Sequence, residues 1–184
     1  MALVGSIHLN YGTALPEFEL NDAEGNSHRS SDLIGDNGLL VVVTCNHCPY
    51  AIAVWPRVIR LAKAIRGKGV NTIAINPNIH PDYPADSPVA MKEKVAEWEI
   101  DFPYLVDVDQ SVAKALNAQC TPDIYLYNGS GELYYHGRID DYWKDESQVT
   151  AEELAPAIDA MVAGQDAPSI QHPTIGCSIK WLDE

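Results

Sequence analysis

Positive charge is scarce in this chain. Twelve lysines and arginines stand against twenty-six aspartates and glutamates, a formal net charge of −14 over 184 residues. A surface of that sign repels phosphate backbones and anionic headgroups, so nucleic acid and membranes are poor partners. Long apolar runs are missing as well, and no stretch approaches the length needed to span a bilayer. The first residues, Met1-Ala2-Leu3-Val4-Gly5-Ser6-Ile7-His8, have neither a basic start nor an extended apolar core, so no secretory leader is expected. Cysteine is sparse: four residues do not make a disulfide-stapled secreted domain, and a cytoplasmic location is the expectation. Repeats and low-complexity segments are absent. With 46% hydrophobic residues there is enough for one core, so a single domain is expected over 1–184, with 165–184 as a tail packed on it.

What is present concentrates between Leu39 and Tyr50. Leu39-Leu40-Val41-Val42-Val43-Thr44 reads as a strand buried on both faces, and it runs directly into Cys45-Asn46-His47-Cys48. From about Tyr50 to Arg66, Ile52, Trp55, Ile59, Ala62 and Ile65 recur at helical spacing. Two thiols therefore sit where a central strand hands over to a helix N-terminus, whose unpaired N–H groups and positive dipole end favour a thiolate.

The remaining chain fits an α/β domain with a mixed central sheet. Residues 18–28 suggest an N-terminal β-hairpin turning at Glu24-Gly25-Asn26, and Ser30-Ser31-Asp32-Leu33 a helical turn. The long helix is expected to kink or restart at Pro56 and to stop at Gly67-Lys68-Gly69. A strand over 70–76 then completes a right-handed parallel βαβ unit. Four prolines make 77–88 a loop, and Ser87 with Pro88 opens a helix to about Glu99. A short strand at Tyr104–Asp107, a short helix at Ser111–Leu116 and a hairpin around Asn128-Gly129-Ser130-Gly131 follow. Thr150-Ala151-Glu152-Glu153 has the form of a capping box for a last helix to about Ala163. The aromatic residues Trp55, Trp98, Tyr104, Tyr125 and Tyr127 read as core. Tyr50 and Trp143 read as exposed candidates to border a substrate groove. Asp140-Asp141 and the acidic run Asp107–Asp109 read as solvated charge.

Central strand, CxxC, helix, strand, helix, X-Pro, hairpin and terminal helix is an order of parts that resembles the thioredoxin fold. The X-Pro here is Thr121-Pro122. The resemblance implies that this proline is cis and faces the dithiol, leaving the backbone of Thr121 to pair with an incoming peptide. The insertion over 77–103, the FPYLVDVDQSVAKAL segment, CNHCPY and the terminal GCSIKW are closer to the redoxin branch, the alkyl hydroperoxide reductase/thiol-specific antioxidant group. Aligned on that branch, Cys48 falls on the peroxidatic position, Cys45 replaces the usual threonine, and Pro122 stands where the peroxide-activating arginine is expected. The dithiol set is present and the peroxide set is not, which favours disulfide exchange.

In the exchange reading Cys45, taken as the more exposed thiol, is the nucleophile, and Cys48, one turn inward, resolves the mixed disulfide. A partly charged His47 beside Asn46 would stabilise the Cys45 thiolate and lift the reduction potential from about −270 mV toward about −180 mV. Cys120 and Cys177 are accessory thiols or small buried residues. Isolated as they are, they do not complete a zinc site with the CxxC, so no metal and no cofactor is expected. The partners expected are a disulfide-bearing protein or small thiol substrate and an external donor such as a thioredoxin or glutathione system. Two alternatives remain open: a peroxidase using Cys48 or Cys45, and a non-catalytic or metal-binding module.

Overall fold

The computed structural model describes residues 3–182. In chain order the strands are β1 (Leu3–Gly5), β2 (Glu19–Asp22), β3 (Ser27–Arg29), β4 (Gly38–Val43), β5 (Val70–Asn76), β6 (Tyr104–Val106), β7 (Cys120–Thr121), β8 (Asp123–Asn128), β9 (Leu133–His136) and β10 (Ile175–Ser178). The helices are α1 (Ser30–Leu33), α2 (Pro49–Arg66), α3 (Pro88–Glu97), α4 (Ser111–Ala115) and α5 (Leu154–Val162). Seven strands form one mixed sheet in the order β3-β2-β6-β5-β4-β8-β9, and β1-β10-β7 form a second, smaller sheet.

Every residue of β4 is buried, because the strand lies between β5, parallel to it, and β8, antiparallel. Side chains alternate across a strand. Leu40 and Val42 therefore meet Val54, Trp55 and Val58 of α2 and Leu154 and Ile158 of α5. Leu39, Val41 and Val43 meet Val112, Ala113 and Leu116 of α4, with Leu9, Leu15 and Phe18 closing that face. Parallel pairing puts the C-terminal ends of β4 and β5 at one edge, so the loops that leave them lie side by side. This is the α/β, thioredoxin-like architecture expected, with helices on both sheet faces. No helix among the described residues is long and apolar enough to cross a membrane.

Several elements differ from the sequence reading, each for a physical reason. The β2–β3 hairpin does not stand ahead of the fold as an extension; β2 pairs antiparallel with β6 and continues the main sheet. Helix α2 passes through Pro56 without restarting. Pro56 is exposed, so the Ile52 carbonyl that loses its partner can turn to water. The Thr150–Glu153 capping box does not form: α5 begins at Leu154, and the Thr150 hydroxyl donates to Asp141 instead. Starting later places Pro156 in the first turn, where its missing N–H costs nothing. The Ser87 cap of α3 does form, with Oγ accepting from Ala90 N at 3.3 Å. Within the tail a strand forms that the sequence reading did not contain, β10, which pairs with β1 on one side and β7 on the other.

The acidic positions expected to be solvated are partly interior. Asp107 is fully buried and accepts from the backbone N–H groups of Val112 and Ala113, capping α4. Asp140 is buried against Arg57, whose guanidinium also donates to the carbonyls of Tyr142 and Trp143. Arg57 thereby ties the 140–143 loop to α2. Replacing Arg57 with methionine strands the buried Asp140 carboxylate, and the expected loss in urea-unfolding stability is about 3–5 kcal/mol. A loss below about 1 kcal/mol, the size of an exposed pair, would show that the loop is held by other contacts.

Candidate active site

Helix α2 starts at Pro49, so its N-cap residue is Cys48 and not Cys45. Cys45, Asn46 and His47 form the turn between the end of β4 and that cap. Both cysteine side chains of the CxxC are fully buried. They form a small cluster with Ala51 and Cys177, which is itself only 4% exposed, and Tyr50 packs against it. Tyr50 in turn stacks on Trp143 at 3.9 Å between ring centroids. These two aromatic residues are half-buried against each other and do not stand free in solvent as expected.

A buried turn must find partners for its polar groups. Asp86, fully buried at the end of the short 3-10 turn Pro84–Asp86, supplies most of them. Its Oδ1 accepts from Asn46 N at 2.6 Å and from Asn76 Nδ2 at 3.0 Å, and its Oδ2 faces His47 Nδ1. Asn46 Nδ2 donates to the Ala85 carbonyl at 2.8 Å, and its Oδ1 accepts from Tyr104 OH at 3.0 Å. Trp55 Nε1 donates to the Cys45 carbonyl at 3.4 Å, and the His47 ring stacks on Tyr83 at 4.5 Å. Sequence reasoning missed Asp86 and Tyr83. The available signal was topological: parallel strands at 39–44 and 70–76 put the loop after the second strand beside the CxxC turn.

The second wall is the Thr121–Pro122 bond, which is cis. Thr121 Oγ1 lies 3.3 Å from the Cys45 sulfur, and the Thr121 carbonyl accepts from the Cys48 thiol at 3.1 Å. Asp123, buried directly after Pro122, anchors this turn by accepting from His136 Nε2 at 2.8 Å and Tyr125 OH at 3.0 Å. The Thr121 backbone does not wait for a peptide. Its position in the ladder is taken by Cys177 of β10. Cys120 is not a member of the three-cysteine cluster; its thiol donates to the Pro122 carbonyl at 3.4 Å, and burial pushes it up.

The two thiols divide a proton unequally, and in the opposite sense to the sequence expectation. Cys45 is pushed well up, first by burial, then by its bond to Cys48 and by the negative field of Asp86. Cys48 is drawn down to about 4, chiefly by the hydrogen bond from Cys45, then by the Cys177 thiol and the Ala51 and Cys177 N–H groups. Its own burial opposes the shift, and the Thr121 carbonyl favours the protonated form; the convergent donors outweigh both. The Ala51 N–H points toward the sulfur without closing a full cap bond. The helix start, whose dipole acts on the residue at the cap, adds to these donors at Cys48. His47 Nδ1 faces the Asp86 carboxylate, whose negative field is among the causes that raise Cys45.

Donor atoms of Cys45, His47 and Asp86 lie within 4.8 Å of one another. A thiophilic ion could be held there only by parting the His47–Asp86 hydrogen bond, since two directly bonded donors are too close to ligate one ion.

Removing the Cys45 thiol tests the shared proton. In Cys45→Ala the Cys48 titration is expected to move up from about 4 toward the ordinary value of about 8.5, followed by thiolate absorbance. The depressed Cys48 also stabilises the fold above the ordinary thiol range, a contribution lost as pH falls through about 4. Cys45→Ala should flatten that pH dependence. An unchanged titration would show that the helix N-terminus acts alone.

A crystal structure of an uncharacterized conserved protein from Geobacillus kaustophilus is 39% identical, with 100% of this chain and 98% of that one aligned at a TM-score of 0.95. The thiol-disulfide oxidoreductase ResA of Bacillus subtilis (strain 168) is 24% identical over 129 residues, 70% of this chain and 68% of that protein. At the level of fold alone, a thiol:disulfide interchange protein from Bacteroides sp. is 19% identical with a TM-score of 0.63, covering 85% of this chain and 92% of that one. Residues 11–136, more than half of the chain, match the AhpC/TSA family, and the protein belongs to it.

Proposed function

We propose that this protein is a thiol–disulfide oxidoreductase whose reacting pair is Cys45 and Cys48. The observation that carries the reading is the dithiol at the start of α2, with Cys48 as the helix cap and the cis Thr121–Pro122 turn against both sulfurs. The likeness to a thiol-disulfide oxidoreductase supports it. In this mechanism the Cys48 thiolate attacks a substrate disulfide and one substrate thiolate leaves. Cys45 then gives its proton to the departed substrate thiolate and attacks the Cys48 sulfur, releasing the second substrate thiolate and leaving a Cys45–Cys48 disulfide. Two electrons from an external thiol donor, such as a thioredoxin or glutathione system, restore the dithiol. Thr121 Oγ1, 3.3 Å from Cys45, and the Asp86–His47 pair hold the second thiol in place for this step.

Substrates on this reading are disulfides of proteins or small thiols, and the cytoplasm is the proposed setting, supported by the sparse cysteine content. The AhpC/TSA membership brings peroxide chemistry into consideration, with Cys48 as the attacking sulfur. Pro122 stands where an arginine would be needed to polarise the peroxide, so this chemistry ranks second.

The test compares reduction of a disulfide (insulin or glutathione disulfide, with dithiothreitol as donor) and consumption of hydrogen peroxide on one preparation. Disulfide reduction is expected to fall by roughly 100-fold in Cys48→Ser, whereas the double variant Cys45→Ser/Cys177→Ser, which leaves no neighbouring thiol to resolve Cys48, should accumulate a mixed disulfide with the substrate. Trapping on Cys45 in Cys48→Ser would reassign the nucleophile. Peroxide turnover faster than disulfide turnover, lost in Cys48→Ser, would overturn the proposal in favour of a peroxidase.

A further inference from the structure

The C-terminal strand does something that neither the family nor the CxxC motif requires. Cys177 sits opposite Thr121, and Ser178 opposite Cys120, in an antiparallel ladder. The strand edge beside the dithiol, where an extended substrate would add its backbone, is thus filled by the chain itself. Filling that edge places Cys177 in one buried cluster with Cys45 and Cys48, where it favours the Cys48 thiolate.

The docking of β10 is built, not incidental. Its outer edge pairs with β1, Leu3 facing Cys177 and Val4 facing Gly176. Just beyond it, Lys180 N donates to Asn78 Oδ1 at 2.8 Å, while Gln110, fully buried, donates to the Lys180 carbonyl at 2.7 Å and accepts from Leu182 N at 2.9 Å. Gly176 is required for the approach, because a Cβ there would lie 2.1 Å from the Thr121 carbonyl oxygen. A strand clamped on both sides of its cysteine, with a glycine admitting it to van der Waals contact, holds that cysteine at one address.

We propose that β10 is an internal substrate of the dithiol and that Cys177 is a third redox-active thiol, exchanging with Cys45 as the disulfide partner of Cys48. The inference rests on the thiol–disulfide reading above and extends it. Starting from the Cys45–Cys48 disulfide, the Cys177 thiolate attacks the Cys48 sulfur. The Cys48–Cys177 bond forms as the Cys45–Cys48 bond breaks, and Cys45 leaves as a thiolate that takes the proton Cys177 gave up. No electrons enter or leave, so the exchange needs no further oxidant or reductant. The exchange frees Cys45 while the oxidising equivalent stays stored on Cys48. It also ties the tail covalently over the site, so external substrates compete with β10 for the same sulfur and the same strand edge.

The test maps disulfides in the full chain. Wild type is equilibrated in a series of glutathione redox buffers, quenched in acid, alkylated and digested without reduction, and fragment ions assign each bridge. Both 45–48 and 48–177 bridges are expected, in a ratio that stays constant across the series because their exchange is electron-neutral. In Cys45→Ser the 48–177 bridge should be the intramolecular product. In Gly176→Ala, which pushes β10 off Thr121, the 48–177 fraction should fall at least five-fold (on the order of 1 kcal/mol or more) while 45–48 persists. Formation of 45–48 in wild type with no 48–177 bridge there or in Cys45→Ser overturns this inference and leaves the oxidoreductase reading standing. If no 45–48 bridge forms in any buffer, the oxidoreductase reading falls, and this inference falls with it.

Discussion

A buried turn with polar backbone is costly unless every group finds a partner, and the turn from Cys45 to Cys48 is such a turn. It cannot move to the surface, because β4 before it is buried on both faces and α2 after it packs Trp55 and Val54 into the same core. Partners must therefore be brought to it. Asp86 comes from the loop after β5, Thr121 from the turn before β8, and Trp55 from the helix itself. They meet at the same edge of the sheet because β4 pairs parallel with β5, whose end lies beside its own, and antiparallel with β8, whose start does. The site's geometry is thus the solution of a desolvation problem set by the central strand.

The same burial decides how the two sulfurs differ. A thiolate removed from water is disfavoured unless donors replace the water; Cys48 has them from Cys45, from Cys177 and from the helix start, whereas Cys45 has the Thr121 hydroxyl. Cys45 faces Asp86 instead, so the carboxylate that anchors the turn also keeps the second thiol protonated. One carboxylate serves structure and chemistry together, and substitution there would disturb both at once.

Much of this was legible in the sequence, unevenly. The run Leu39–Thr44 into CxxC and the helical spacing from Ile52 to Ile65 located the dithiol at a strand-to-helix junction, because burial pattern and period are local signals. The Ser87–Pro88 helix start and the hairpin at Asn128–Gly131 were equally local, and both are present. What failed was what depends on where the helix begins to the residue. Placing the cap at Cys48 and not before Cys45 exchanges the electrostatic environments of the two thiols. Periodicity does not resolve a start to that precision. The buried carboxylates Asp86, Asp107 and Asp140 were illegible for a different reason, since charge on a sequence reads as solvent exposure until tertiary contacts supply partners. The tail failed similarly: four residues at Ile175–Ser178 carry no strand pattern of their own and are held by β1 and β7, which are distant in sequence.

The position of β10 also bears on why family membership alone does not name the chemistry. Peroxide reduction needs a small oxidant to reach one activated sulfur. Disulfide exchange needs a second sulfur able to approach along the line of the bond being broken. Around Cys48 the structure places two thiols, Cys45 and Cys177, in one buried cluster. An environment built of thiols and backbone N–H groups suits a sulfur leaving group better than an oxygen one. A thiolate already stabilised at low pH departs readily from a disulfide, and Cys48 is stabilised in that way. The property that makes Cys48 a good attacking group at neutral pH therefore also makes it a good leaving group when Cys45 or Cys177 bonds elsewhere, and reversible sulfur exchange is the reaction that uses both.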